Sequence, residues 1–341
     1  MTAASSSLPR IDYFALGGTI ASVRGDVAGA VPTLTAQDIA DSVDGLHEVA
    51  DVRAHQFLLT PSPEITIEDL IRLRDAIAAA VADGAVGAVV SQGTDSIEET
   101  SFVLDLLWSG DPPIVFTGAM RNPSLPGSEG PANLLGAVQV AASAQAVGTG
   151  VTVCLGDEIH SARYVHKGHT ASPATFVSPG LGPIGWVAEG RPVIALRPAT
   201  RHHLTLPDDP AVPPVALVRL GLGDDGRQLR ALADLGYRGV VIEAFGGGHV
   251  PVAALPAIAD LVAVMPVVLA SRAGAGEVLT ATYRFPGSEI ELMAMGLVRA
   301  GALDGLKSRL LLTLCLAGDL DADAIATTFQ SVGSTTGPTR I

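Results

Sequence analysis

Short apolar runs and longer segments of helical period take turns along this chain, and few architectures accommodate that pattern. Residues 11–16 (IDYFAL), 52–59 (VRAHQFLL), 86–91 (VGAVVS), 112–117 (PPIVFT) and 150–155 (GVTVCL) read as buried strands. Between them, residues 35–43, 66–84, 96–110 and 131–148 carry helical period. Three of these helices open with the spacing of a capping box: Thr35 with Asp38, Thr66 with Asp69, and Ser96 with Glu99. Gly84 and Gly110 stand where helix stops are expected. Alternation of this kind predicts an α/β fold, with a mainly parallel sheet flanked by helices.

A second alternation follows a break. Residues 197–214 hold five prolines and no periodicity; beyond them VALVRL, GVVIEAF and PVVLAS read as strands with helical segments between. The expected organisation is a larger N-terminal catalytic domain over residues 1–196, a linker over 197–213, and a smaller α/β C-terminal domain over 214–341. A chain of 341 residues is long enough for two domains, and its 48% hydrophobic content excludes disorder as the main state.

The formal charge of −14 argues against nucleic acid or an anionic membrane surface as a partner. No run of about 18 apolar residues exists, so no transmembrane helix is expected. The first residues lack a basic stretch followed by a long apolar one, which points to a cytoplasmic protein. Cys154 and Cys315 lie in apolar runs and read as buried thiols. His160, His166 and His169 cluster around Lys167 without the spacing of a zinc site; they read as solvent-facing loop histidines, and no metal is expected. Gly180 to Gly185 (GLGPIG) matches a dinucleotide-binding string but follows no predicted strand and opens no helix, so the match is accidental.

Ligands of open α/β sheets bind at the carboxyl ends of strands, near helix N-termini. Two such turns here carry threonine. In ALGGTIAS, Gly17 and Gly18 precede Thr19, and in SQGTDSIEET, Gly93 precedes Thr94 and Asp95. Glycines let the backbone approach a ligand closely, and N–H groups at a helix start favour a developing oxyanion. Taken singly, each is as readily a plain turn, and Asp95 as readily a helix support. As a pair at equivalent strand ends, they bring two hydroxyls and a carboxylate toward one pocket.

These two segments resemble the signature segments of the bacterial-type L-asparaginases. So does residues 115–138, VFTGAMRNPSLPGSEGPANLLGAV, and the likeness continues through residues 157–187 and, more weakly, to the C-terminus. The resemblance implies that Thr19 is the nucleophilic threonine of a mobile loop, and that Thr94, Asp95 and Lys167 form a Thr–Lys–Asp arrangement. It implies that Ser62, in LTPSPEIT, holds the substrate's α-carboxylate, and that Glu289, in PGSEIEL, meets the α-ammonium from a neighbouring subunit of a homotetramer, a dimer of dimers. The implied activity is conversion of L-asparagine to L-aspartate and ammonia through a threonyl acyl-enzyme, with no cofactor.

Elementary chemistry accommodates those roles. Threonine is a weak nucleophile until a base takes its proton. Lysine is that base only if burial or a neighbouring cation lowers its pKa, and Asp95 pulls the other way; proton relay and charge stabilisation both stay open for Lys167. Backbone N–H groups after Gly18 and Gly93 are the expected oxyanion donors. The chain also departs from the family pattern. Residues 22–33 (SVRGDVAGAVPT) contain no tyrosine where the family places a catalytic one; the stretch reads equally as a lid or as a surface loop. Pro63 replaces a glutamine, leaving Glu64 as a substitute contact, and Gly247 and His249 stand where many members use an asparagine. Rival readings are another amide substrate such as glutamine, an ammonia-delivering component of a larger enzyme, and a non-catalytic amino-acid binder.

Overall fold

Valine, isoleucine and phenylalanine fill the strands of the first part of the chain because parallel strands are buried on both faces. In the computed structural model, which describes residues 8–24 and 30–334, these are β1 Arg10–Ala15, β2 Ser22–Arg24, β3 Ala30–Pro32, β4 Asp51–Gln56, β5 Gly87–Ser91 and β6 Ile114–Thr117. They continue with β7 Val151–Leu155, β8 Glu158–Ser161, β9 His166–Lys167, β10 Phe176–Val177, β11 Gly185–Ala188 and β12 Arg191–Ile194. Eight of them make one sheet in the order β12-β11-β8-β7-β6-β5-β1-β4. The five from β7 to β4 are parallel, while β8, β11 and β12 add antiparallel pairs at one edge. The remaining four make two small antiparallel ribbons, β2 with β3 and β9 with β10.

The helices are α1 Ala36–Asp41, α2 Leu46–Val49, α3 Ile67–Ala82, α4 Ile97–Leu107 and α5 Gly130–Ala142. In α3 the buried positions Leu70, Leu73, Ile77 and Ala80 recur at helical period and face the core. Thr35 and Thr66 close complete capping boxes with Asp38 and Asp69. Gly84, just past α3, adopts φ +101°, as a helix stop of this kind requires.

Two expectations change. Residues 52–59 read as a buried strand, yet β4 is an exposed edge strand. Its apolar appearance comes from one face only: Arg53 reaches Asp83 at 3.4 Å, and His55 reaches Asp12 at 2.8 Å while stacking on Phe14. Ser96 does not cap α4 with its side chain; a 3-10 turn over Thr94–Ser96 leads into the helix, and the Ser96 hydroxyl is drawn elsewhere.

The chain divides into two compact units, with the boundary between His203 and Leu204. The second holds four parallel strands in sequence order, β13 Val215–Arg219, β14 Gly239–Ala244, β15 Val267–Ser271 and β16 Val298–Arg299. Its helices are α6 Arg227–Arg230, α7 Leu255–Val262, α8 Glu289–Ala294, α9 Gly305–Ala317 and α10 Ala322–Gly333. Val240, Ile242, Leu261, Leu269 and Leu292 belong to its core. No helix among the described residues is long and apolar enough to cross a membrane.

The large sheet fixes where chemistry belongs. From β1 the chain moves outward to β4, then returns past β1 to β5 and continues the other way through β6 and β7. Strand order therefore reverses between β1 and β5, and the loops leaving their carboxyl ends diverge there. A crevice at such a switch point is the usual ligand site of this architecture.

Candidate active site

Both threonine turns leave the sheet at that switch point. Ala15 of β1 pairs with Ser91 of β5, and the Leu16 N–H donates to the Ser91 carbonyl at 2.8 Å. The chain then crosses from β1 to β5 so tightly that only glycine fits. Gly18 has φ 84° and ψ −168°, a region reserved almost entirely for glycine, and a Cβ there would lie 2.0 Å from the Gly93 nitrogen. Gly17, with φ +102°, would press a Cβ within 2.7 Å of the Thr60 backbone. The Gly-Gly-Thr and Gly-Thr-Asp segments are thus in backbone contact, and the loop after β4 closes on them. Thr19, half-buried, opens a 3-10 turn held by the Ser22 hydroxyl, which donates to the Gly18 carbonyl at 2.8 Å.

Thr94, Asp95 and Lys167 come together in the arrangement that the resemblance implied. Lys167 extends from the β9–β10 ribbon, and its Nζ donates to Thr94 Oγ1 at 2.8 Å and to Asp95 Oδ1 at 2.5 Å. The Thr94 hydroxyl donates in turn to the Met120 sulfur at 3.3 Å. Only 11% of the Lys167 side chain is exposed, against 71% for Asp95. The lysine nitrogen is therefore sheltered and hydrogen-bonded to the Thr94 hydroxyl, while the carboxylate reaches toward water. His166 bonds Glu98 of α4 at 2.6 Å and ties the ribbon to the helix that follows Thr94.

A line of polar residues, Thr100 and Gln92 buried and Ser96 half-buried, ends on Ser62. Thr100 donates to Gln92 at 2.9 Å, Gln92 to Ser96 at 3.2 Å, and Ser96 to the Ser62 carbonyl at 2.9 Å. The Ser62 side chain is buried against Gly93: a Cβ on that glycine would lie 2.8 Å from Ser62 Oγ. Glu64, two residues on, is exposed. In the loop after β6 and at the start of α5, Glu129 accepts from the Met120 and Arg121 N–H groups, and Asn133 bridges Gly118 and Gly156. Gln92, Ser96, Thr100, Met120, Glu129 and Asn133 escaped the sequence reading as site residues. The available signal was polar residues in otherwise apolar or motif-bearing segments, such as Gln92 between Ser91 and Gly93.

The second unit holds Glu289 at the start of α8, with its side chain fully buried. One carboxylate oxygen accepts from the N–H groups of Thr282 and Tyr283 at 2.8 and 2.7 Å; the other faces His249 Nε2 at 3.2 Å. Burial pushes this carboxyl up, but the two amides and His249 outweigh it and hold it below the ordinary glutamate value. His160 departs from its expected place at the surface: it is buried on β8, bonded to Ser178 at 2.9 Å, and burial lowers its pKa. His169 is exposed, as expected, and accepts from the N–H groups of Ala171 and Ser172. Residues 25–29, the middle of the stretch read as a lid or a surface loop, lie outside the described residues; β2 and β3 on either side pair as a ribbon.

Comparison with known proteins gives the family. Residues 10–200 match the family model described as "Asparaginase, N-terminal", and residues 214–329 match "Glutaminase/Asparaginase C-terminal domain". The chain is 31% identical over 341 residues to "L-asparaginase 2" of Escherichia coli, covering 96% of this chain and 94% of that one. It is 30% identical to "Probable L-asparaginase periplasmic" of Haemophilus influenzae, again over 96% and 94%. Among solved structures, a probable cytoplasmic L-asparaginase from Campylobacter jejuni superposes with a TM-score of 0.84 at 28% identity, covering 94% of this chain and 99% of that one.

Proposed function

The chain belongs to the asparaginase family, and from that premise we propose that it hydrolyses L-asparagine to L-aspartate and ammonia through a threonyl acyl-enzyme. The observation that carries the reading is the Lys167–Thr94–Asp95 cluster beside the Gly18–Gly93 backbone contact, at the point where strand order reverses.

In this reading the Thr19 hydroxyl attacks the side-chain amide carbon, and its proton passes to the Thr94–Lys167 cluster. N–H groups after Gly18 and Gly93 bear the negative charge on the former carbonyl oxygen; each such donor contributes about 3–4 kcal/mol in comparable sites. The proton is returned to the amide nitrogen, ammonia leaves, and an ester to threonine remains. Water, giving up its proton to the same cluster, attacks the ester and releases aspartate while the threonine hydroxyl is restored. Asp95 stabilises the positive charge the cluster carries within each half-reaction, while it holds the proton. Every step uses side chains and backbone of the chain, without a cofactor.

Ser62, held by the Thr100–Gln92–Ser96 line, meets the α-carboxylate, with Glu64 at the rim. Glu289 of a neighbouring subunit supplies negative charge opposite the α-ammonium, in a homo-oligomer built as a dimer of dimers. For the compartment we infer the cytoplasm, as in the name of the Campylobacter relative; the Haemophilus relative is named periplasmic. The test is ammonia release from L-asparagine, L-glutamine and D-asparagine by the purified protein. Turnover greatest on L-asparagine is expected. Ligand-induced stabilisation without ammonia would instead make the protein a binder.

A further inference from the structure

We propose that His166, through its bond to Glu98, is a positioning residue for Lys167: the pair is a clamp that keeps the lysine nitrogen on the Thr94 hydroxyl. This rests on the role given to Lys167 above. Lys167 stands on β9, two residues long and paired with β10 outside the large sheet. The ribbon closes its own turn. The Gly168 N–H donates to the Thr175 carbonyl at 2.8 Å, the His169 N–H to Thr175 Oγ1 at 2.9 Å, and the Ala171 and Ser172 N–H groups to His169 Nδ1 at 3.0 Å. Those bonds shape the ribbon without fixing where it lies against α4. Val165 and Phe176 are buried and seat it, but apolar burial is non-directional.

Direction comes from two adjacent side chains. Lys167 Nζ bonds Thr94 at 2.8 Å, and His166 Nδ1 donates to Glu98 Oε2 at 2.6 Å. Thr94 and Glu98 are four residues apart, across the junction of the 3-10 turn with α4. The Glu98 side chain is only 8% exposed, and a sheltered carboxylate left without a donor is strongly unfavourable. Asp95, the carboxylate that Lys167 reaches, is 71% exposed, and water weakens such a pair. The firmer grip is therefore at residue 166, and residue 167 follows it across one peptide bond. Proton exchange between Thr94 and Lys167 needs hydrogen-bond distance, and a misplacement of about 1 Å costs a rate of about 10²-fold in comparable cases. In this account His166 touches no reacting atom and acts through the lysine.

The experiment combines asparagine kinetics with NMR of the full-length protein labelled with 15N-lysine. The chain contains two lysines, Lys167 and the buried Lys307, so two side-chain signals are expected, and Lys167→Met identifies the first. His166→Ala should lower kcat by about 10–100-fold while KM for asparagine stays within about twofold. His166→Asn, whose amide donates from the place of Nδ1, should recover most of that loss. In the Lys167→Met background, His166→Ala should add no further loss. The Lys167 signal should move in His166→Ala and return in His166→Asn; removal of the ring alone cannot give this pattern, because both variants lack it. Wild-type kcat in His166→Ala, a full additional loss in the Lys167→Met background, or a Lys167 signal unmoved in His166→Ala would each overturn the proposal. Should the wild type release no ammonia, the hydrolysis reading falls, and the Lys167 signal still decides the clamp.

Discussion

Gly18 and Gly93 are closer than any side chain permits, and this contact sets the distance between the two threonine segments. Gly18→Ala must force a Cβ into the Gly93 backbone and adopt a conformation that alanine avoids. A loss of about 3 kcal/mol of stability is expected, read by urea unfolding, with ammonia release abolished. Lys167 makes a different kind of contribution, since its Nζ bonds the Thr94 hydroxyl from a sheltered position. Lys167→Met should lower kcat by about 10²–10⁴-fold while the melting temperature stays near wild type. A variant that keeps wild-type kcat would remove the lysine from the proton path. Gly18 and Gly93 were legible because a threonine sits beside each in a short motif after a strand, while Lys167 came only from the likeness to a known family. Asn133 was not legible, because it bonds backbone groups of loops distant in sequence, and Gln92 was not, because its partners are the side-chain hydroxyls of Ser96 and Thr100 in the turn and helix that follow it.

Among elements, the long ones were the readable ones. The helix α3 carries its period, its capping box and its glycine stop in consecutive residues, so local chemistry alone specifies it. Strands β8, β11, β12 and β16 run only two to four residues and depend on neighbours far along the chain, so no run of sequence announces them. β4 misled because edge and central strands differ in what covers their faces, which is a tertiary property. Ser96 shows the same competition: it has the capping spacing but spends its hydroxyl on Ser62. Two serine/threonine deletions separate these cases. Thr66→Ala should cost about 1 kcal/mol of stability and leave KM unchanged. Ser96→Ala should raise KM for asparagine by slackening Ser62, and an unchanged KM would show that the Thr100–Gln92–Ser96 line does not support binding.

For the molecule as a whole, pH acts on stability as well as on the site. Burial pushes the Asp105 carboxyl up to about 6, against the Val151 N–H and the charges of Arg201 and Arg163. A carboxyl whose folded pKa exceeds its unfolded value binds protons more tightly when folded. Its contribution to stability is present below the unfolded value near 4 and lost as pH rises through about 6, a swing of up to about 3 kcal/mol. The stability difference between wild type and Asp105→Asn should therefore shift in favour of wild type as pH falls from about 6 to about 4; a constant difference would mean that Asp105 does not titrate there. The two-unit organisation carries a further consequence, because the proposed ammonium contact lies beyond His203. A chain ended at His203 is expected to release no ammonia, and an active truncated monomer would rule out a shared site. The proposed chemistry rests most heavily on two threonines acting together at the switch point of one sheet. The direct test is ammonia release from L-asparagine by wild type, Thr19→Ala and Thr94→Ala, each verified as folded: turnover by wild type and its loss in both variants is the predicted result, and undiminished turnover in either variant contradicts it.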